Sequence, residues 1–506
     1  GFPLGAPGYP SAMSAVAWAR LGSMRALARC GLGRRPAGAA RAPVPPLRGL
    51  SASFAPIAHA RCLTAAAAGA EPLEAQLSGV AKPLVSAMGA MGFTQLTPVQ
   101  AETLPHCLAG KDVLAKAKTG TGKTVAFMLP TLHRLITSQP KVADGKGPKP
   151  IRAIVLSSTR ELAQQIAAEA KKLSPDGGLK VQCIVGGTNI NHELREMKEE
   201  GPDLLVATPG RLIDHIENTP KFVERLEGVE TLVLDEVDQL LNQGFQVPIK
   251  LIMSYLPQER QSLAFSATVP KQVKQTIAET LRKGHTVVDC VGEEDLDTHA
   301  RIDQEYVIHE VGDSISAVID AVRREVADRP EDHKIIMFLP TARQTQFMSE
   351  VMRNMGMDVL EIHSRKTQAY RKRVSDEFRA AKKGVMLSSD VSARGVDYPD
   401  ITLVLQVGPP ETKEHYVHRL GRTGRAGEGG AGKMLLCNYD SYYLRKVLGD
   451  MPLRDSTEEW QASQGVSRRA VRDAVMNVQK ELKWSTYQAW LGHYNKFRKP
   501  LNWSLE

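Results

Sequence analysis

The fold of this chain is decided by a glycine-rich stretch at residues 117–124, which reads Ala-Lys-Thr-Gly-Thr-Gly-Lys-Thr. Residues 111–115 before it, Lys-Asp-Val-Leu-Ala, predict a short buried strand. Residues 125–129 after it, Val-Ala-Phe-Met-Leu, predict an apolar helix. Glycines between a strand and a helix let backbone N–H groups point at an anion beside the helix N-terminus. The stretch therefore predicts a phosphate-binding loop in a parallel α/β domain.

The side chains of this loop are those that bind a nucleoside triphosphate and Mg²⁺. Lys123 is expected to reach the β- and γ-phosphates, and the Thr124 hydroxyl is expected to bind Mg²⁺. The predicted nucleotide-binding residues of the loop are Thr119, Gly120, Thr121, Gly122, Lys123 and Thr124.

Acidic residues follow a second predicted strand. The apolar run at residues 229–234 ends at Asp235-Glu236-Val237-Asp238. We expect Asp235 to hold the Mg²⁺ ion together with Thr124, mainly through water, because Mg²⁺ keeps much of its hydration shell. Glu236 is the predicted base for the attacking water, so Asp235, Glu236 and Lys123 form the predicted catalytic group of this half of the chain.

The positive charge of the chain is concentrated near its N-terminus. Residues 1–70 contain eight arginines, no lysine and no acidic residue, whereas residues 71–506 are almost neutral, with 57 basic and 56 acidic residues. An Arg-rich, Ser-containing, acid-free segment is typical of an organellar transit peptide, and Met13 or Met24 is a candidate start. The predicted location is the mitochondrial matrix, with the plastid stroma as the alternative. A disordered tail without a targeting role stays open.

The rest of the sequence indicates a soluble enzyme of two α/β domains. No run of 18 apolar residues is free of charge, and the six cysteines have no zinc-type spacing. Buried strand patterns alternate with amphipathic stretches, stop near residue 291 and then resume. The predicted parts are a transit peptide at 1–70, a first domain at 71–290, a linker at 291–302, a second domain at 303–440 and a basic, helical C-terminal extension at 441–506.

Further motifs resemble those of the DEAD-box RNA helicases over about residues 90–430. They are Gly92 to Gln100, Ser158 to Leu162, Gly186-Gly187, Thr208 to Arg211, Ser266-Ala267-Thr268, Phe338 to Thr341, Gln368 to Arg371, Ser389 to Asp397 and His418 to Arg425. The resemblance implies two tandem RecA-like parallel-sheet domains joined by a short linker, followed by the small helical extension. It implies ATP as the nucleotide, with the Gln100 amide selecting the adenine edge.

The resemblance also assigns roles in RNA binding, catalysis and coupling. The implied RNA-binding residues contact the RNA backbone without sequence specificity and are Thr159, Arg160, Gly186, Gly187, Thr208, Pro209, Gly210, Arg211, Thr341, Arg371 and Ser389. Arg422 and Arg425 are the implied arginine fingers, and Asp397 is implied to lie near the ribose. Coupling of hydrolysis to strand separation is implied for Ser266, Thr268, Asp238, His418 and Arg419.

Together these features predict a monomeric RNA-dependent ATPase that binds single-stranded RNA and locally unwinds duplexes. Residues 486–495 resemble a segment of the C-terminal extension in the branch that contains organellar RNA chaperones for intron splicing. An organellar role in RNA folding, splicing or ribosome assembly is therefore expected. The alternatives are an ATP-dependent RNA clamp within a ribonucleoprotein or ribosome-assembly complex, a plastid or cytosolic helicase, and a DNA-directed motor. Trp484, Tyr487, Trp490 and Tyr494 are expected to pack on the second domain rather than stack on bases.

Overall fold

A computed structural model describes most of the chain after the arginine-rich segment. The described residues are 72–117, 120–139, 148–174, 178–199, 201–291, 302–390, 396, 398–424 and 430–501. The predicted transit peptide, most of the predicted linker, and the site residues Thr119, Asp397 and Arg425 lie outside the described residues. Within the described part, no helix is long and apolar enough to span a membrane.

The first domain is built on a parallel sheet with helices between its strands. Its elements are α1 (Leu73–Gln76), α2 (Lys82–Ala90), α3 (Pro98–Leu108), β1 (Val113–Lys116), α4 (Lys123–Thr137), β2 (Ala153–Leu156), α5 (Arg160–Leu173), β3 (Val181–Ile184), α6 (Ile190–Glu199), β4 (Leu204–Ala207), α7 (Pro209–Asn218), α8 (Phe222–Leu226), β5 (Thr231–Asp235), α9 (Val237–Asn242), α10 (Gln246–Ser254), β6 (Gln261–Ser266), α11 (Lys271–Thr280) and β7 (Thr286–Asp289). The strand order is β3-β4-β2-β5-β6-β1-β7, and all the pairings are parallel.

The second domain repeats this plan. Its elements are β8 (Asp303–His309), α12 (Ser314–Asp328), β9 (Lys334–Phe338), α13 (Ala342–Asn354), β10 (Leu360–Ile362), α14 (Gln368–Ala380), β11 (Gly384–Ser388), β12 (Leu403–Val407), α15 (Lys413–Leu420), β13 (Ala431–Cys437), α16 (Ser441–Lys446) and β14 (Arg454–Asp455). The strand order is β10-β11-β9-β12-β13-β8-β14, again with parallel pairings throughout.

The apolar runs of the sequence form these strands because helices cover both faces of each sheet. Every residue of β2, β4, β5 and β6 is buried, as is every residue of β9. Two apolar clusters enclose the first sheet, one on each face. The prediction of two RecA-like parallel-sheet domains is confirmed. In both sheets the loops at the carboxyl ends of the strands carry the predicted site residues.

The C-terminal extension is helical and packs on the second domain. Its helices are α17 (Thr457–Ala462), α18 (Arg468–Met476), α19 (Lys480–Tyr494) and α20 (Arg498–Leu501). The Asn354 amide donates to the Ala474 carbonyl at 3.0 Å, and the Thr486 hydroxyl donates to the Arg343 carbonyl at 3.3 Å. Both contacts join the extension to α13, whose N-terminus carries the predicted RNA-binding residue Thr341.

The four aromatic residues of α19 behave differently from one another. Tyr494 is buried and donates its phenol hydrogen to Asp440 at 2.9 Å, so it packs on the second domain as predicted. The same expectation is wrong for Trp484, whose side chain is 60% exposed. Trp484 lies on the solvent side of the helix, where it contacts the ring of Tyr487 at a centroid distance of 5.8 Å.

Candidate active site and nucleic-acid interface

The glycine-rich loop has a backbone shape that only glycine adopts without strain. Gly120 and Gly122 have φ angles of 82° and 87°, in the left-handed region. Gly122 directly precedes α4, and a Cβ atom there would lie 2.4 Å from the Gln100 amide nitrogen. A larger residue would therefore strain the backbone here and push the Gln100 amide away from the N-terminus of α4, where an anion is stabilised by the helix dipole.

Gln100 ties this loop to the preceding helix. Its amide nitrogen donates to the Gly122 carbonyl at 3.1 Å, and its carbonyl oxygen accepts from the Thr97 N–H at 3.0 Å. Each polar atom of an amide side chain can make a second hydrogen bond. The Gln100 side chain therefore keeps one donor and one acceptor position for the predicted contact with adenine, while its two hydrogen bonds hold it in place.

Lys123 has the environment expected of a phosphate ligand. It begins α4, is buried, and its ammonium group has no hydrogen-bond partner among the described residues. A buried ammonium without a partner is unfavourable. A triphosphate in the loop would supply the missing acceptor, so this residue fits the predicted nucleotide. Thr124 follows it on the first turn of α4.

Asp235 and Glu236 lie at the end of β5, both buried. The Asp235 carboxylate accepts the Glu236 N–H at 3.0 Å, and Glu236 itself has a left-handed backbone with φ 51°. Burial and the neighbouring Glu236 carboxylate raise the pKa of Asp235, against the opposing effect of Lys123. Two buried carboxylates beside one lysine leave an excess of negative charge that a divalent cation would neutralise. The donor set therefore fits Mg²⁺, held by Asp235 and Thr124.

The predicted coupling residues Asp238, Ser266, Thr268 and His418 meet at one point. The Thr268 hydroxyl donates to the Asp238 carboxylate at 2.9 Å, and the Asp238 N–H donates to the Ser266 hydroxyl at 3.3 Å. His418 of the second domain places its Nε2 atom 3.6 Å from the same carboxylate. Asp238 thus contacts the strand end of β6 and the helix α15 of the other domain.

Arg419 and Arg422, the two arginines of the motif from His418 to Arg425 that the structure describes, have different contacts. Arg419 is not brought to Asp238. Its guanidinium donates to Asp390 at 2.8 and 2.7 Å and lies over the Phe338 ring, within the second domain. Arg422 is 2% exposed and donates to the carbonyls of Val396 at 2.6 Å and His418 at 3.2 Å. These two carbonyls hold its guanidinium between α15 and Val396.

Three predicted RNA-binding segments of the first domain are adjacent. Thr159 accepts the Leu162 N–H and so caps α5, and Pro209 and exposed Gly210 begin α7 after Thr208. The Arg160 guanidinium lies against Gly186 and Gly187, where added Cβ atoms would approach its nitrogens to 3.0 and 2.5 Å. The described residues form no ion pair or hydrogen bond with Arg160, which leaves its donors available for phosphate.

Arg211, in contrast, is occupied by protein groups. It donates to Glu193 at 2.9 Å, to Asp214 at 3.0 Å and to the Thr188 carbonyl at 2.6 Å. Its guanidinium therefore holds together the loops that are predicted to bind RNA in the first domain. Glu193 was not among the predicted site residues, because a glutamate inside a polar helix gives no sequence signal of its partner.

One predicted RNA-binding residue of the second domain contacts the first domain. Arg371 forms an ion pair of 2.5 Å with Glu161 of the first domain, and each side chain is 4% exposed. The Gln368 amide donates to the same carboxylate at 3.2 Å. Sequence reasoning missed Glu161 and Gln368, although both lie inside quoted motifs. Thr341 caps α13 by accepting the Gln344 N–H.

Ser389 lies at the end of β11, next to β10. Its N–H donates to the Ile362 carbonyl at 3.2 Å. It therefore lies at the same carboxyl edge of the second sheet as Thr341, which follows β9. The structure brings together the described RNA-binding candidates of each domain at the carboxyl edge of that domain's sheet.

The chain is similar in sequence to proteins of known families. The family description "DEAD/DEAH box helicase" matches residues 97–276, and "Helicase conserved C-terminal domain" matches residues 316–427. The chain is 47% identical over 407 residues to DEAD-box ATP-dependent RNA helicase 31 of Arabidopsis thaliana, covering 80% of this chain and 56% of that relative. It is 44% identical over 412 residues to DEAD-box ATP-dependent RNA helicase 26 of Oryza sativa subsp. japonica, covering 80% of this chain and 74% of that relative.

Solved structures are similar over both domains. The structure of Mss116p (NTE and C-tail double deletion) bound to ssRNA and AMP-PNP matches with a TM-score of 0.76 and 29% identity, covering 86% of this chain and 88% of that one. The structure of S. cerevisiae Dbp5 bound to RNA and ADP BeF3 matches in fold, with a TM-score of 0.65 and 24% identity over 80% of this chain and 100% of that one. The chain belongs to the DEAD-box ATP-dependent RNA helicase family.

Proposed function

We propose that this chain is an RNA-dependent ATPase that grips single-stranded RNA by its backbone and locally unwinds duplexes. The observation that carries the proposal is the shared position of Asp238. Asp238 lies three residues after Asp235, the predicted Mg²⁺ ligand. Its carboxylate contacts Thr268 and, at 3.6 Å, His418 of the second domain. A change at the nucleotide can thus be transmitted to the contact between the domains.

The hydrolytic step uses residues from both domains. Mg²⁺, held by Asp235 and Thr124, would supply charge neutralisation at the phosphates. Lys123 binds the phosphates, and Glu236 accepts a proton from the attacking water. The water oxygen bonds to the γ-phosphorus, and the bond from this phosphorus to the oxygen that bridges it to the β-phosphate breaks. Arg422 stabilises the negative charge on the transferred phosphoryl group, and ADP and phosphate are the products. Arg425 and Asp397 are proposed to complete the site.

RNA binding is coupled to this step through the domain contact. The ion pair between Glu161 and Arg371 joins a predicted RNA-binding segment of each domain. ATP and RNA are therefore expected to favour the same domain arrangement and to bind with positive coupling. Contacts to the backbone favour many RNA sequences equally. A strand gripped in a bent path leaves A-form pairing, so unwinding is local.

The test is steady-state ATP hydrolysis by the full chain with single-stranded RNA, with DNA of the same sequence and length, and without nucleic acid. Strong stimulation by RNA alone is the expected result. Equal stimulation by DNA would support the DNA-directed alternative, and no stimulation would contradict the proposal. Displacement of a short labelled strand from an RNA duplex, with ATP and with a non-hydrolysable analogue, measures unwinding.

A long-lived RNA clamp is the second candidate function, and the buried interdomain ion pair of Glu161 with Arg371 favours it. The dissociation rate of labelled RNA in the presence of ATP separates the two functions. Rapid release with each turnover supports a cycling chaperone. Release much slower than hydrolysis supports a clamp in a ribonucleoprotein or ribosome-assembly complex.

We also propose that the protein acts on organellar RNA, in the mitochondrial matrix, during RNA folding, splicing or ribosome assembly. The support is the composition of residues 1–70, with eight arginines and no acidic residue. A fusion of residues 1–70 to a fluorescent protein should enter mitochondria, and a fusion with the arginines replaced by glutamine should not. Import into plastids instead would support the alternative location.

A further inference from the structure

Glu193 occupies a buried position behind the RNA-gripping surface of the first domain. It lies in α6 and is 3% exposed. One carboxylate oxygen accepts from the Arg211 guanidinium and from the His215 ring, each at 2.9 Å. The other oxygen is hydrogen-bonded to the Thr188 hydroxyl. The carboxylate is therefore satisfied entirely by groups of neighbouring loops and helices.

The carboxylate is also held in its charged form. Burial alone would raise the pKa of Glu193, but the hydrogen bonds from His215, Thr188 and Arg211 outweigh burial and lower the pKa. A buried carboxylate with three donors is favourable only while all the donors stay in place. Displacement of either loop would leave a buried charge without its full set of donors.

His215 supports the carboxylate from the other side. Its ring is fully buried and stacks on Phe222 at a centroid distance of 5.4 Å. Its Nε2 atom faces Glu193, and its Nδ1 atom faces the Thr219 hydroxyl at 2.9 Å. Both ring nitrogens are engaged, which fixes the orientation of the ring. The ring in turn leaves Glu193 only one position in which all its bonds are made.

The contacts of Glu193 join two segments that are separate in the sequence. Thr188 directly follows Gly186-Gly187, and Arg211 directly follows Thr208-Pro209-Gly210. Arg160, from the third segment, packs on the two glycines. A single carboxylate thus sets the distance between two gripping segments and, through the glycines, the position of Arg160.

We propose that Glu193, oriented by His215, is a positioning residue for RNA binding that aligns the Gly186-Gly187 loop with the N-terminus of α7 without touching the RNA. The inference rests on the proposed function as an RNA-dependent ATPase. It also predicts the direction in which RNA affinity changes when the negative charge of Glu193 is removed. Removing a negative charge near an RNA site would strengthen RNA binding if charge alone mattered, whereas loss of alignment weakens it.

The experiment measures binding of a fluorescently labelled single-stranded RNA to the full chain by anisotropy, with a non-hydrolysable ATP analogue. The variants are Glu193→Ala and Glu193→Gln. The matched control is Glu196→Ala, on the same helix, where the carboxylate is exposed and accepts a hydrogen bond from the Gln182 amide. His192 lies 3.9 Å from it, on the same exposed face.

Glu193→Ala is expected to weaken RNA binding about tenfold, because the alignment of two loops is lost. Glu193→Gln keeps the shape and most of the hydrogen bonds, so it should recover part of the affinity, and Glu196→Ala should bind like the unchanged protein. Affinity for the ATP analogue without RNA should change less than twofold in every variant, because the phosphate loop lies on other elements.

Three results would overturn the inference. The first is unchanged or tighter RNA binding by Glu193→Ala. The second is an equal loss of RNA and nucleotide binding in Glu193→Ala with no recovery by Glu193→Gln, which would indicate general damage to the fold. The third is that the unchanged protein does not bind RNA. RNA binding without RNA-stimulated hydrolysis would instead contradict the proposed ATPase cycle while leaving the alignment measurement valid.

Discussion

The two sheets have the same strand order, yet they carry opposite charges at the equivalent place. In each domain the fifth strand in chain order lies between the second and the sixth. Buried Asp235 and Glu236 lie at the end of that strand in the first domain. In the second domain the strand is followed by α15, which carries His418, and then by Arg422. The shared topology therefore brings residues to the same place in both sheets. The residues that follow the strand make this place acidic in the first domain and basic in the second.

The first strands differ in the same way. Strand β1 leads into the glycine-rich loop, whereas β8 leads to Asp313 at the start of α12. Arg468 of the C-terminal extension pairs with Asp313 at 2.8 Å. The start of α12 therefore carries an ion pair where the start of α4 carries the predicted phosphate-binding loop.

The largest expected effect comes from removing the cationic half of the pair. Arg422→Ala should lower kcat for ATP hydrolysis about 10³-fold, because the guanidinium stabilises charge that develops on the phosphoryl group. Nucleotide affinity should change much less. Single-turnover hydrolysis and binding of a fluorescent ATP analogue measure the two quantities. Arg422→Lys, which keeps the charge and loses the forked donors, should recover little.

The acidic half is tested by Glu236→Gln. The amide cannot accept a proton, so hydrolysis should fall about 10²-fold or more while ATP and RNA binding stay nearly unchanged. The control is Glu227→Gln, an exposed carboxylate just before β5, which should have normal activity. Normal turnover in Glu236→Gln would mean that another group is the base. The acidic end of β5 would then have no catalytic role to set against the basic residues that follow β12.

The link between the halves is tested by His418→Ala. This variant loses the contact of 3.6 Å with Asp238. The factor by which ATP strengthens RNA binding should fall about tenfold, with smaller changes in the binding of either ligand alone. Glu414→Ala, on the exposed face of the same helix, is the control. Equal coupling in both variants would show that the domains communicate elsewhere, for example through Glu161 and Arg371.

The smallest effect concerns the extension, which only the second domain has. Tyr494→Phe removes the hydrogen bond to Asp440 and should lower the free energy of unfolding by about 1 kcal/mol. Burial raises the pKa of Asp440 to about 7, although bonds from Tyr494 and Cys437 oppose the rise. The folded state then binds more protons than the unfolded state between about pH 4 and pH 7, so this residue makes stability fall as pH rises through that window.

Denaturant unfolding at several pH values checks this direction. Asp440→Asn removes the titrating group, so its stability should vary less between pH 4 and pH 7 than that of the unchanged protein. A steeper decline in the Asn variant would contradict the assignment. Above pH 7 the carboxylate is charged in both states and its contribution no longer changes.

The sequence predicts the fold class well because the signals are local. Apolar runs predict the buried strands, and the glycines of the loop predict the turn into α4. The side-chain pairs across long separations are different. Glu161 meets Arg371, and Glu193 meets Arg211, only because strands β2 to β4 and the two domains are packed together. The exposure of Trp484 could not be predicted either, since a large aromatic side chain in a packed helix is usually buried.

The left-handed backbone of Glu236 adds a thermodynamic consequence. For a residue with a side chain, a φ angle of 51° is strained by about 1 kcal/mol or more. Folding stability alone would favour glycine or asparagine at this turn. With a glutamate there, the protein gives up some folding stability at the residue that is its predicted catalytic base.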